Sequence, residues 1–186
     1  MLMSKFINMK IPITDKFLWD VFNALSSVED AGRPLFHPAR SMRDATMSTD
    51  DPIYQKYRKI FTSQEFSQLI YYLKRKNYIK VKNLEGKRGI MLTKTGVSKA
   101  LLASFSADGG KKRKDGKWIM LTFDIPQKHK KSRMLLRSII GTLGYKMFQQ
   151  SIWVCPFDVS DTTEKLLQVH NLEKYVKIFL IEKLEN

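Results

Sequence analysis

Residues 62–75 read Thr62-Ser63-Gln64-Glu65-Phe66-Ser67-Gln68-Leu69-Ile70-Tyr71-Tyr72-Leu73-Lys74-Arg75, and the fold of the N-terminal half is decided there. T-S-Q-E predicts a capping box, in which the Thr62 hydroxyl accepts the third helical amide and the Glu65 carboxylate reaches back to the cap. Phe66, Leu69, Ile70 and Leu73 follow at i, i+3, i+4 and i+7, which makes one buried stripe of a helix. Gln64, Gln68, Tyr71 and Arg75 then fall on the opposite face. Amide, phenol and guanidinium groups on an outward helix face suit base edges and phosphates.

Toward the C-terminus the period changes after Lys76-Asn77. Ile79 and Val81 alternate with Lys80 and Lys82, and Asn83-Leu84-Glu85-Gly86-Lys87-Arg88-Gly89 leads to Ile90 and Leu92. This predicts a β-hairpin around a basic, glycine-containing turn. Thr95–Ser104 reads as a closing helix. Toward the N-terminus, a second helix is expected between Pro52 and Phe61. Another is expected from Asp15 to Leu25, with Phe17, Leu18, Val21, Phe22 and Leu25 on one face. Residues 26–51 are rich in turn formers and receive no assignment. Three helices and a basic hairpin, in that order, predict a winged helix-turn-helix.

Charge supports a polyanionic partner. The 186 residues include 33 Lys and Arg against 18 Asp and Glu, a formal net charge of +15. Each phosphate neutralised by such a surface releases a condensed counterion. The plainer alternative is a basic protein with no such partner. The single cysteine, Cys155, excludes an intramolecular disulfide, and the three histidines have no ligand spacing. No apolar run approaches a membrane span, and MLMSKFINMK lacks a signal-peptide core, so a cytoplasmic location is expected.

Residues 108–117, D-G-G-K-K-R-K-D-G-K, carry three glycines, seven charges and no apolar side chain. They read as a basic linker or long exposed loop between residues 1–107 and 118–186. Positive charge is concentrated before and within it: 18 basic and 9 acidic residues precede Asp108, whereas 10 and 7 follow Lys117.

The C-terminal part reads β-α-β-β-α-β. Trp118–Phe123 is an apolar strand ending in Asp124-Ile125-Pro126. The helix after it buries Leu136, Ile139, Ile140 and Leu143, presents Lys130, Arg133 and Arg137 as a basic stripe, and stops at Gly144. Tyr145–Phe157 supplies two strands, or one bent strand, around Gln149-Gln150-Ser151, a bulged edge suited to pairing two chains. Asp161-Thr162-Thr163-Glu164 is expected to cap a second helix to about Asn171, and Val176, Ile178 and Leu180 alternate in a last strand. The fold class is therefore α+β, a winged helix-turn-helix followed by a ferredoxin-like domain. Cys155, Trp153 and Phe157 read as core.

K-W-I-M-L-T-F-D-I-P, S-R-M-L-L-R, L-G-Y and Q-Q-S-I-W-V-C-P, all between residues 117 and 156, resemble two related families. One is the PaaX-type transcriptional repressors, which place a winged helix before a ferredoxin-like domain; this resemblance extends over nearly the whole chain because the domain order matches. The other is the CRISPR-associated protein two family of adaptation proteins, which resembles residues 118–186 only. PaaX-type repressors continue into a further C-terminal domain that this sequence does not contain, so their acyl-CoA effector is not carried over and any small-molecule effector is left open.

The CRISPR resemblance implies that Asp124, duplicated across a two-fold dimer, holds Mg²⁺ for phosphodiester cleavage. The residues alone give Asp124 a turn-and-cap role before Ile125-Pro126. Taken together, the reading is a PaaX-like regulator, a repressor acting as a homodimer on double-stranded DNA, with no cofactor. Gln64, Gln68 and Tyr71 are expected at base edges. Arg75 and the wing residues Lys82, Lys87 and Arg88 are expected on phosphates, with Lys111, Lys112, Arg113 and Lys114 adding affinity without specificity. The alternatives are a CRISPR-associated adaptation protein or Mg²⁺-dependent endonuclease with an added winged helix, and a ferredoxin-like domain that only dimerises.

Overall fold

The computed structural model describes residues 11–25, 35–37, 52–84, 87–107 and 110–182. Among them the chain is α+β, with helices and two antiparallel sheets. It forms two compact units that part between Ala100 and Leu101. No described helix is long and apolar enough to cross a membrane.

In the first unit, α1 (Ile13–Ala24) starts two residues before the expected Asp15, because the Pro12 carbonyl already accepts the Asp15 and Lys16 amides. It buries Phe17, Leu18, Val21 and Phe22. β1 (Leu35–His37) lies in the stretch that received no assignment from sequence. α2 (Pro52–Arg58) lays Tyr57 into the core, where the Phe17 ring meets both Tyr57 and Phe66 edge-on at 5.1 and 5.9 Å. The Tyr57 hydroxyl donates to Asp20 at 2.7 Å, and Lys56 Nζ reaches the same carboxylate oxygen at 2.6 Å. This hydrogen bond and burial together push the Tyr57 phenol far above its ordinary range, burial contributing most.

α3 (Ser63–Arg75) has the predicted capping box and buries Phe66, Leu69, Ile70 and Leu73. It ends at Asn77, which takes the left-handed conformation (φ +55°) while the Tyr78 amide donates back to the Leu73 carbonyl. β2 (Ile79–Leu84) and β3 (Lys87–Leu92) then pair from Ile79 opposite Leu92 to Leu84 opposite Lys87. β1 adds to the other side of β3, giving the order β1-β3-β2. α4 (Lys94–Ala107), whose residues from Leu101 onward belong to the second unit, is longer than expected at both ends. Thr93 starts it: its hydroxyl accepts the Gly96 amide, and its carbonyl accepts the Val97 amide. Gly96 has no alternative there, since a Cβ would stand 1.9 Å from the Tyr78 carbonyl oxygen.

The second unit has the predicted βαββαβ order. β4 (Trp118–Phe123), α5 (Lys130–Thr142), β5 (Lys146–Gln149), β6 (Ile152–Cys155), α6 (Ser160–His170) and β7 (Val176–Ile181) follow one another, with a 3-10 turn at Gln127–His129. All pairings are antiparallel and the strand order is β5-β6-β4-β7, the ferredoxin-like arrangement. Ile119, Leu121 and Phe123 alternate inward along β4. They share the core with Leu136, Ile139 and Ile140 of α5, Leu166 and Leu167 of α6, and Leu143.

Residues 145–157 form two strands, with a register shift between Met147 and Gln149. Gly144 (φ +84°) does end α5, and a Cβ there would press within 2.7 Å of the Phe157 ring. Phe157 also meets Phe105. The expected cap at residues 161–164 is absent. α6 begins at Ser160, and no side chain bonds its N-terminus. Thr163 is instead fully buried, donating to the Val159 carbonyl at 2.7 Å and meeting the Tyr145 hydroxyl at 3.1 Å. With the helix starting at Ser160, Asp161 already lies in its first turn rather than at the cap.

Candidate nucleic-acid interface

The four residues placed by sequence on the outer face of α3 are all exposed there: Gln64, Gln68, Tyr71 and Arg75. Tyr71 is 66% exposed, a large fraction for an aromatic ring backed by a buried stripe. Glu65 is the only acid on the helix and is occupied by its cap. Its carboxylate accepts the Thr62 amide and hydroxyl at 2.8 and 2.9 Å, and the amide bond above all lowers its pKa. The Ser67 hydroxyl donates to the Ser63 carbonyl at 2.8 Å.

Cations enter only at the end of α3, with Lys74 and Arg75 in its last turn. Lys76 follows, its ammonium 5.9 Å from the Tyr72 ring. Lys80 and Lys82 are exposed on β2. No acidic residue occurs between Glu65 and Glu85, so the exit of α3 and the strand after it contribute only positive charges. Lys74 and Lys76 extend the residues picked by sequence. Their position was legible, because cations concentrate at helix C-termini, but that same fact favours a dipole role over a ligand role. Lys87 and Arg88 have their backbone in β3, with Arg88 opposite Asn83 and His37; their side chains lie outside the described residues.

From Gly110 the basic stretch is laid against the second unit rather than being a free linker. Lys112 bridges to Phe157, the Arg113 amide donates to the Pro156 carbonyl, and the Lys111 carbonyl accepts the Asp158 amide. Arg113 is held by Asp115 at 2.6 Å and Asp158 at 3.0 Å. Lys111, Lys112 and Lys114 are exposed. The grouping of four equivalent cations therefore divides: three are open to solvent, and one is paired with two carboxylates. Arg113's hydrogen bond is also the main cause of the lowered Asp115 pKa.

Residues 111–186 match the family model described as the PaaX protein central Cas2-like domain. Over those residues the second unit is similar to that domain. No curated protein matches the chain. The matched residues begin inside the basic stretch, consistent with its strand-like pairing to this unit.

Asp124 sits at the end of the first strand of the Cas2-like domain and is exposed. Its amide donates to the Tyr175 carbonyl at 2.9 Å. Among the described residues no side-chain hydrogen bond to its carboxylate is formed, and the turn that follows is capped by Pro126 without side-chain help. The expected capping role is thus not what places it. Thr122, Phe123, Pro126, Lys174, Tyr175 and Lys177 line a cleft with it. Within one chain the cleft supplies a single carboxylate, so the Mg²⁺ implied by the CRISPR resemblance would need the Asp124 of a second chain as well. No group of three metal-ligating side chains forms among the described residues.

Two of the three cations expected as a solvated stripe on α5 are tied down. Arg133 donates to the Ile125 carbonyl. Arg137 donates to the Gln150 carbonyl at 3.3 Å and lies over the Phe123 ring. Lys130 remains exposed. Cys155 is fully buried, as expected, with burial pushing its thiol up to about 11.

Proposed function

We propose that the chain is a sequence-specific DNA-binding transcriptional regulator of PaaX-like type, a repressor acting as a homodimer. The first unit acts as a winged helix-turn-helix, with α3 in the major groove and the β2–β3 hairpin as its wing. The observation that carries this reading is the outer face of α3. It has amides and a phenol in its first three turns, cations at its exit, and a basic hairpin directly after it. Gln64, Gln68 and Tyr71 face base edges, while Arg75, Lys82, Lys87 and Arg88 meet phosphates. Lys111, Lys112 and Lys114 add sequence-independent attraction, and Arg113 positions their loop. No cofactor is required.

Homodimerisation is assigned to the Cas2-like domain. All four residues of its edge strand β5 are exposed, including Met147 and Phe148 at 62% and 59%. An edge strand with two large apolar groups in solvent invites a second chain. Two recognition helices would then read half-sites spaced by about one helical turn of DNA or a multiple of it.

The test is footprinting of the gene's upstream region with the full chain, alongside sedimentation of the free protein. Two protected half-sites and a dimer are expected. A second reading, an adaptation protein working in a larger complex, draws on the Cas2-like match alone; strand scission, or coverage with no sequence preference, would favour it.

A further inference from the structure

We infer that α3 reads adenines, at two base pairs no more than two steps apart in each half-site. The inference deepens the proposed function and rests on it. Each base edge in the major groove demands its own partner: Arg or Lys reaches guanine O6 and N7, Asn or Gln reaches adenine N6 and N7, and Asp or Glu accepts from cytosine N4. The first ten residues of α3, Ser63 to Tyr72, contain no Lys and no Arg. A guanine reader is therefore missing from the turns that enter the groove. The cations start at Lys74, where a recognition helix has climbed back toward the backbone.

A cytosine reader is missing too. Glu65 is the only acid on the helix, and both Thr62 groups hold its carboxylate in the cap. Ser67 is turned back onto the Ser63 carbonyl. Beside the Tyr71 phenol, whose single hydroxyl can donate or accept and so does not by itself select one base, the groove-facing turns offer a pair of exposed primary amides, Gln64 and Gln68. Each can donate to N7 and accept from the N6 amino group of one adenine. Four residues of helix rise by about 6 Å, and base pairs stack at about 3.4 Å, so two adenines within two steps match the spacing.

The experiment is selection of duplexes from a random pool by the full chain, followed by replacement of single adenines with 7-deazaadenine. That base keeps Watson–Crick pairing and loses only the N7 acceptor. At two positions within two steps, the substitution should weaken binding by about fivefold or more. The loss at one position should vanish in Gln64→Ala and at the other in Gln68→Ala. Both residues are exposed, so the variants should keep the wild-type melting temperature. A selected site whose affinity is unmoved by 7-deazaadenine but falls with 7-deazaguanine would overturn the inference and leave the DNA-binding reading standing. Failure to enrich any sequence would overturn both.

Discussion

The Glu65 carboxylate accepts the Thr62 amide at 2.8 Å and the Thr62 hydroxyl at 2.9 Å, while Thr62 Oγ1 accepts the Glu65 amide at 3.3 Å. This reciprocal pair fixes where α3 begins, and hence which residues its outer face presents. It also withdraws the helix's only acid from that face. Thr62→Ala should destabilise the protein by about 1 kcal/mol, read from urea denaturation. Glu65 has its pKa lowered in the folded state. Its contribution is therefore present above the unfolded carboxyl pKa and lost as pH falls through the folded one. Acid titration should show that loss in the wild type and not in Glu65→Gln.

Asp20 joins α1 to α2 by accepting from both Lys56 and the buried Tyr57 hydroxyl. Removing the acceptor strands that hydroxyl, whereas removing the hydroxyl leaves an acid that retains Lys56. Asp20→Ala should therefore cost about 1–3 kcal/mol, and more than Tyr57→Phe. Equal losses in thermal or chemical denaturation would contradict this arrangement.

Gly144 takes φ +84° against the Phe157 ring. Gly144→Ala combines a left-handed backbone with a close contact and should cost about 1–3 kcal/mol. A relaxed variant with unchanged melting would mean that the junction of α5 and β5 is looser than the geometry implies.

Most of this architecture was legible because it is written in short-range pattern. The capping box at Thr62 and Glu65, the stripe from Phe66 to Leu73, the alternation at Ile79 and Val81, and Gly144 each need only a few neighbouring residues. What was not legible depends on partners distant in sequence. Arg113 pairs with Asp158, 45 residues on. Arg137 bonds the Gln150 carbonyl, and Thr163 bonds Tyr145. A run of basic side chains looks uniform in sequence, yet backbone carbonyls and carboxylates brought up by the fold consume some members and leave others free.

Phe148→Glu places a charge on the exposed edge strand β5, where it costs a free monomer little and a paired interface much. Sedimentation should show a dimer for the wild type and a monomer for the variant at the same concentration. A wild type that sediments as a monomer at micromolar concentration would contradict the homodimer.

The α3 residues should separate by role. Gln68→Ala should lower discrimination between specific and shuffled duplexes by about 1–3 kcal/mol, whereas Arg75→Ala should weaken both alike and reduce the salt slope by about one. Fluorescence anisotropy at several salt concentrations reads both quantities.

Sequence-specific DNA binding is tested by anisotropy of the gene's upstream duplex against a shuffled control at physiological salt with Mg²⁺, with the products run on a gel. Preference for the upstream duplex by about a thousandfold or more is expected, with both strands intact. Equal, weak binding of the two duplexes would contradict it, and cleavage abolished by EDTA would replace it with a nuclease.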